Sequence, residues 1–451
     1  MLIRFVVKNL FSFGEETEFN LLSNKSLKTL QHHKYKNNGI ELLKMSSIYG
    51  ANGAGKSNLI KAIALMKLIV TQNKPVSIID QYSFKLKDEK DETSTLLAIE
   101  FIEENIPFYY ALEIDKGVVL TEELYESGLG LKKDILIFER KTNFEGVTSI
   151  QFSDEFEKDE KSSVYKSVLL ESFVKSNETL LQLLSKRENI FLQSVIKAFS
   201  WFYFRLQILS PNSKTSIIQN LESNLEFKVF AEKFMRAIKV GITGMDIQVE
   251  KLINSELENT DFHLELGESP MRMIGFSKVE EIMLAKDLNG SSYFKRIRFQ
   301  KLGKNNSSID FFTEDESEGT IRMLDLSPAF FNATLNSNVI LIDEIEHSIH
   351  PLLIKELISK FSLDENTKGQ LIFTTHESNL LDQEIFRTDE IWFAEKGKSG
   401  STKLYSLSDY KEHKTIDIQK GYLTGRYGSI PFLGNLHDLN WHTNVIEAST
   451  I

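Results

Sequence analysis

Apolar and polar positions near the amino end follow the spacing of strands. Residues 1–5 read as a first strand. Residues 99–102, 108–114 and 118–120 continue the pattern, with turn signals between them. One helix interrupts the series. Leu59, Ile60, Ile63 and Met66 recur at helical spacing within residues 58–70. The texture changes from residue 153 to 239. Glycine is absent from that stretch, its single proline is Pro211, and leucines recur three to four residues apart at Leu169, Leu170, Leu180, Leu181, Leu183 and Leu184. This predicts a helical block, without the sustained heptads of a coiled coil. Leu180, Leu181, Leu183 and Leu184 crowd too closely for one stripe, so some should face other helices or another chain, and the block is expected to dock a partner. Strand signals return at residues 262–266 and 293–299, and residues 339–433 read as α/β again.

The fold class that follows is α/β, in three segments: 1–152, a mainly helical 153–240, and 241–451. A 451-residue chain with 41% apolar residues can bury a sizeable core. No run of about 18 apolar residues predicts a membrane span. The chain has no cysteine, which excludes disulfides, thiolate metal sites and cysteine nucleophiles, and fits a cytoplasmic protein. A net charge of −11 argues against a general nucleic-acid coat but leaves room for a local basic patch.

The chemistry begins at Gly50-Ala51-Asn52-Gly53-Ala54-Gly55-Lys56-Ser57, which fits G-x-x-x-x-G-K-[ST] at every fixed position. The stretch before it, Ser46-Ser47-Ile48-Tyr49, reads as a strand end, and Asn58 opens the helix after it. That is the strand–loop–helix context a phosphate-binding loop needs. The glycines allow a tight turn that aims backbone N–H groups at an anion, and the helix N-terminus adds positive potential. Lys56 is placed for the β- and γ-phosphates of ATP, and Ser57 for Mg²⁺. Far downstream, Val339-Ile340-Leu341-Ile342 is an apolar run ending in Asp343-Glu344. Buried parallel strands read this way, and ligands gather at their carboxyl ends. Asp343 is expected to orient Mg²⁺ and Glu344 to polarise the attacking water. A second apolar run, residues 370–375, ends in His376, placed to contact the γ-phosphate.

In these residues the chain resembles the AAA-family, ATP-binding-cassette ATPases of the SMC and RecF type. The resemblance covers roughly the first and last 150 residues. It implies an ABC-ATPase head split by a helical insertion, ATP and Mg²⁺ as cofactors, and a homodimer or higher oligomer that sandwiches nucleotide. In this reading Ile345-Glu346-His347-Ser348-Ile349-His350-Pro351 looks like the loop that crosses the dimer interface. Glu316-Ser317-Glu318-Gly319-Thr320 holds the place of the signature sequence Leu-Ser-Gly-Gly-Gln, matching it only at Ser317 and Gly319. Physically, a serine cap and the helix N–H groups behind it make a good anion site, and in the family it serves the opposite subunit. The variant signature, the run Thr374-Thr375-His376-Glu377-Ser378-Asn379-Leu380-Leu381-Asp382 and the tail Tyr422-Leu423-Thr424-Gly425-Arg426-Tyr427-Gly428-Ser429-Ile430-Pro431 look like ATPases of abortive-infection and restriction-linked loci, of the RloA and AbiLi type. Their relatives include the ATPase subunits of the Septu and PARIS anti-phage systems. The resemblance implies an anti-phage sensor or regulator with a separately encoded toxin or nuclease as effector. No Asp-x-Asp follows His376, so no built-in nuclease of the overcoming-lysogenization type is expected.

Weaker signals remain. Arg296 and Arg298 share one face of a predicted strand and could grip phosphates, as a DNA-clamping ATPase of the RecF kind would need; nucleic acid is thus a possible partner. Gln81 stands where the family has a Mg²⁺-contacting glutamine. His437, Asp438 and His442 read as surface residues. The long insertion and altered signature speak against a transporter cassette.

Overall fold

The structure is a computed structural model that describes residues 1–37, 39–72, 74–88, 92–143, 145–187, 189–251, 272–276, 281–286, 292–410 and 417–428. The expected strands at residues 262–266 and the His437–His442 cluster lie outside these residues.

Alternation builds the amino-terminal lobe. Seven antiparallel strands run in the order Thr148–Phe152, Ile135–Thr142, Val118–Glu126, Ile106–Asp115, Thr95–Glu103, Leu2–Lys8, Thr17–Asn20. Two hairpins close on two-residue turns, Glu104-Asn105 and Lys116-Gly117. All four turn residues have positive φ, as the right-handed twist of paired strands prefers.

The second sheet is the one that positions the site. Its order is Leu206–Leu209, Val339–Ile342, Gln370–Thr374, Met45–Tyr49, Ile391–Lys396, Thr402–Ser406; the first five are parallel and the last is antiparallel. Strands buried on both faces need no polar alternation, and Val339–Ile342 is fully buried. Val339 and Leu341 pack toward the amino-terminal lobe, and Ile340 and Ile342 toward the opposite core. Helix Lys56–Gln72 is sandwiched in the first of these cores and buries Leu59, Ile60, Ile63, Met66 and Ile69. Helices Glu318–Leu335 and Pro351–Ser362 cover the other face. Strands Ile242–Lys251 and Ser292–Leu302 belong to a third, antiparallel sheet, packed on helices Ile217–Ser223 and Leu225–Ala237.

The amino-terminal extension is pinned to the parallel sheet by a buried trio. His33 Nδ1 lies 2.9 Å from both Glu390 carboxylate oxygens, and its Nε2 lies 3.0 Å from Ser362 Oγ. Ser362 Oγ in turn donates to the Ile385 carbonyl.

The segment 153–240 differs from a uniform helical arm. It holds helices Asp154–Lys158, Glu160–Ser172, Leu180–Ser185 and Gln193–Ser200, but then contributes strand Leu206–Leu209 to the parallel sheet. Its leucines are also committed within the chain. Leu169, Leu180, Leu181 and Leu184 are buried in the main core, where Trp201 stacks on Phe101 at 4.2 Å. The crowding of four leucines is explained by packing against this chain's own sheet and helices, so it carries no argument for a partner.

Candidate active site

The strand order decides the geometry. Gln370–Thr374 lies between Val339–Ile342 and Met45–Tyr49, so three carboxyl ends stand side by side. Asp343-Glu344 leaves the first of the three, His376 the middle one and the phosphate loop the third.

Gly50, Gly53 and Gly55 adopt φ of +156°, +77° and +108°. A Cβ at Gly50 would lie 2.5 Å from the Ala394 carbonyl, and one at Gly55 would overlap Thr402 Oγ1 and approach Ser12 Oγ to 2.7 Å. Only glycine passes here. Thr402 Oγ1 also donates to the Ala54 carbonyl at 2.8 Å, which braces the loop from the neighbouring strand. Asn58 follows in the first helical turn and donates to Ser12 Oγ at 2.9 Å. Asn52 is exposed at the loop tip and Ser57 is half-buried.

Lys56 is 4% exposed. Its Nζ donates to the Gly50 carbonyl at 2.7 Å and the Ala51 carbonyl at 3.2 Å, and lies 3.4 Å from His376 Nδ1. Burial lowers the pKa of Lys56 to about 8, against the pull of Glu346, Glu344 and Asp343. Desolvation and then the Lys56 ammonium hold the His376 imidazole below its ordinary range, which favours its neutral form.

Asp343 is 6% exposed, and its Oδ1 accepts from Thr374 Oγ1 at 2.6 Å. The same hydroxyl accepts from the Glu344 N–H at 2.8 Å, so one threonine fixes both acids. Glu344 adopts φ of +49°, strain that a non-glycine residue bears only where its surroundings impose it. Its carboxylate is 39% exposed and reaches solvent.

Glu346 was not singled out by sequence. Its Oε1 accepts from the His376 N–H at 2.5 Å, its Oε2 is buried without a partner among the described residues, and burial raises its pKa. It is also the largest acidic influence on Lys56. The sequence signal available was an acid two residues after Glu344, which the motif did not single out.

Ser317 caps helix Glu318–Leu335. Its Oγ accepts from the Thr320 N–H at 3.2 Å and lies 2.9 Å from Thr320 Oγ1. A Cβ on Gly319 would come within 2.7 Å of the Ser348 carbonyl, so the signature turn is stacked on the loop after Glu344. Ser317 is exposed, and its hydroxyl serves its own helix rather than the Lys56 cluster. His350 caps the next helix through Leu352 N, with Pro351 in its first turn.

Gln81 is exposed and lines a cavity of about 320 Å³ together with Ser12 and Asn58, beside the phosphate-loop helix. Arg296 and Arg298 do share a strand, but carboxylates meet them. Arg296 pairs with Glu250 at 3.5 Å and lies 3.6 Å from the Phe312 ring centroid; Arg298 pairs with Asp246 at 3.6 Å and Asp310 at 3.3 Å. The pair is largely compensated within the protein, which weakens the case for a phosphate-gripping face.

The donors fit Mg²⁺ bound together with a nucleotide. Ser57 and Asp343 offer hard oxygens, and Mg²⁺ usually takes one or two protein oxygens plus substrate phosphates. Among the described residues no group of three or more His, Cys, Asp or Glu side chains is placed to hold a metal by itself.

A parallel sheet carrying a phosphate loop, an Asp-Glu strand end and a histidine on three adjacent strands defines a phosphate-loop ATPase. The chain belongs to the family described as "AAA domain, putative AbiEii toxin, Type IV TA system", whose model matches residues 45–382. Similar solved structures include the SMC head bound to the C-terminal winged-helix domain of ScpA (13% identity, 90% of this chain and 97% of that one, TM-score 0.41). The SMC head domain of Thermotoga maritima is also similar (12%, 90% and 98%, TM-score 0.40). A third is an SMC head with an extended coiled coil bound to the C-terminal domain of ScpA, derived from Pyrococcus furiosus (12%, 94% and 98%, TM-score 0.42). Among curated proteins none matches the chain significantly. Among the described residues no helix is long and apolar enough to cross a membrane.

Proposed function

We propose that this ATPase works as an ATP-dependent homodimer with composite sites, and that it is the regulatory subunit of an anti-phage defence system. In each site Lys56, Ser57, Asp343, Glu344 and His376 come from one chain, and Ser317 and Gly319 from the other. One observation carries the reading: a buried, partly desolvated Lys56 stands 3.4 Å from His376, beside the Asp343-Glu344 strand end, at three adjacent carboxyl ends.

Phosphoryl transfer is mostly positioning and electrostatic stabilisation, and these side chains suit it. Lys56 exchanges two carbonyl oxygens for phosphate oxygens. Ser57 and Asp343 would hold Mg²⁺, which supplies charge neutralisation on the phosphates. Glu344, fixed by its backbone yet solvent-reaching, takes the proton of the attacking water. His376, neutral and held by Glu346, reports on the terminal phosphate. The Ser317 cap, displayed on the same surface as the 345–350 loop, suits a phosphate presented by a second copy.

The defence role is supported by the toxin–antitoxin name of the family and by the tail and histidine motifs. A separately encoded toxin or nuclease should then co-purify with the chain when both are expressed together.

The test of the site is Glu344→Gln. It keeps shape and removes the proton acceptor, so MgATP should still bind and trap a dimer, visible as a larger species on sizing. Turnover should fall by roughly 10²-fold or more, the usual contribution of a positioned acid or base. Turnover at the wild-type rate would refute the role given to Glu344.

A further inference from the structure

Two buried charges on the signature helix have no part in the reading above. Arg322 and Asp325 lie three residues apart in helix Glu318–Leu335, so they share one face, and they are 4% and 6% exposed. Asp325 Oδ2 accepts from Lys214 Nζ at 3.2 Å. Arg322 is less well paired. Its Nη1 donates to the Ser210 carbonyl at 3.3 Å, and its Nε and Nη2 are buried without a hydrogen-bond partner among the described residues. Burial lowers the Arg322 pKa and raises that of Asp325, and each of the two opposes the shift of the other.

Both charges meet the same loop. Residues 210–213 form a turn with Pro211 in its second position. It is closed by the Ser213 N–H on the Ser210 carbonyl at 3.0 Å and by the Ser210 N–H on Ser213 Oγ at 2.8 Å. Thr215 Oγ1 donates to the Asp325 carbonyl at 3.1 Å. The loop leaves strand Leu206–Leu209, whose last carbonyl accepts from Asp343 N at 2.8 Å. A path of hydrogen bonds and loop backbone therefore runs from the Asp343 strand end through residues 210–215 to the second turn of the helix that Ser317 caps.

We propose that loop 210–215 is a strut that sets the spacing between Asp343 and Ser317 of the same chain, with Arg322 as its positioning residue. The proposal rests on the composite-site reading, in which each nucleotide meets Asp343 of one chain and Ser317 of the other. In a two-fold dimer the same spacing then applies to both sites, and only a matching value lets both close on nucleotide together. A misplacement of about 1 Å costs up to about 10²-fold in rate where reacting groups must be aligned. The incomplete pairing of Arg322 fits such a role. A buried charge is a weak source of stability, since an apolar side chain of similar size often serves as well or better.

Arg322→Met tests this because it keeps an unbranched side chain and leaves Asp325 paired with Lys214. The variant should melt at or above the wild-type temperature. MgATP should bind it as it binds wild type, in titrations at protein concentrations too low for dimers. The kcat should fall about 10-fold or more, and in the Glu344→Gln background the dimer trapped by MgATP should be depleted on sizing. Thr215→Val, which takes the loop's hydroxyl from the Asp325 carbonyl, should act in the same direction but more weakly. Wild-type turnover and dimer trapping in both variants would overturn the strut, as would a loss of turnover that comes only with a lower melting temperature. Weaker MgATP binding by dilute Arg322→Met would assign Arg322 to its own chain's nucleotide and overturn the positioning role alone. If Glu344→Gln by itself traps no dimer, the composite-site reading falls and the proposal with it.

Discussion

Lys56 carries an electrostatic cost before any nucleotide arrives. A shift from 10.5 to about 8, caused first by burial, corresponds to roughly 3 kcal/mol against the charged form. That figure is what remains after the pull of three nearby acids, and the Gly50 and Ala51 carbonyls accept from the ammonium that bears it. Lys56→Met keeps the length and removes the charge. Without nucleotide it should melt higher than wild type, although two carbonyls lose a donor. It should also lose the stabilisation that MgATP gives wild type. A lower melting temperature would mean that the carbonyl contacts outweigh desolvation. At this scale the phosphate loop was legible because its chemistry is local: eight consecutive residues state the turn, the lysine and the hydroxyl. Glu346 was not. It matters through the His376 N–H, and that contact leaves no spacing in the sequence.

Among elements, the apolar runs that end in Asp343 and His376 were readable as buried parallel strands because both their faces are covered. Leu206–Leu209 was not readable. It is four residues long, it follows the aromatic turn Trp201–Arg205, and its partner Val339–Ile342 lies far along the chain. Non-local pairing of so short a strand overrides the helical texture around it. Asp343 N donates to the Leu209 carbonyl at 2.8 Å, so segment 153–240 touches the site through the backbone and cannot be excised as an arm. A buried ion pair binds that segment to the amino-terminal sheet. Arg140 reaches Glu122 at 3.5 Å and donates to the carbonyls of Glu178 and Lys175. Glu122 accepts from Leu180 N and Leu181 N at 2.6 and 2.8 Å. Burial raises the Glu122 pKa, and Arg140 opposes that rise. Arg140→Ala leaves the carboxylate unpaired in the core, which costs about 3–5 kcal/mol in comparable buried pairs. Chemical denaturation should show that loss, and the Leu180 and Leu181 amides should exchange faster. Unchanged stability would mean that the helices hold to the sheet by apolar packing alone.

For the whole molecule, the question is whether one chain completes a site. Lys56, Asp343 and His376 converge, but Ser317 serves its own helix and lies stacked through Gly319 on the loop after Glu344. A closed two-fold dimer would place the same surface of each chain against the other, so whatever Ser317 gives to its partner it also receives. Mixing two inactive variants separates the arrangements. Lys56→Ala removes the phosphate partner of its own site. Ser317→Arg blocks the cap with a side chain too large for a phosphate pocket. If Ser317 acts on the opposite chain, one site of a mixed dimer carries both lesions and the other carries none. Random pairing makes about half the dimers mixed, each with one intact site, so roughly a quarter of wild-type turnover should return if the sites work independently. If Ser317 acts within its own chain, every site in the mixture carries one lesion and no activity returns. Light scattering confirms that mixed dimers form, and the ATPase rate then decides between the two: recovery assigns Ser317 to the partner's nucleotide, and silence returns it to its own.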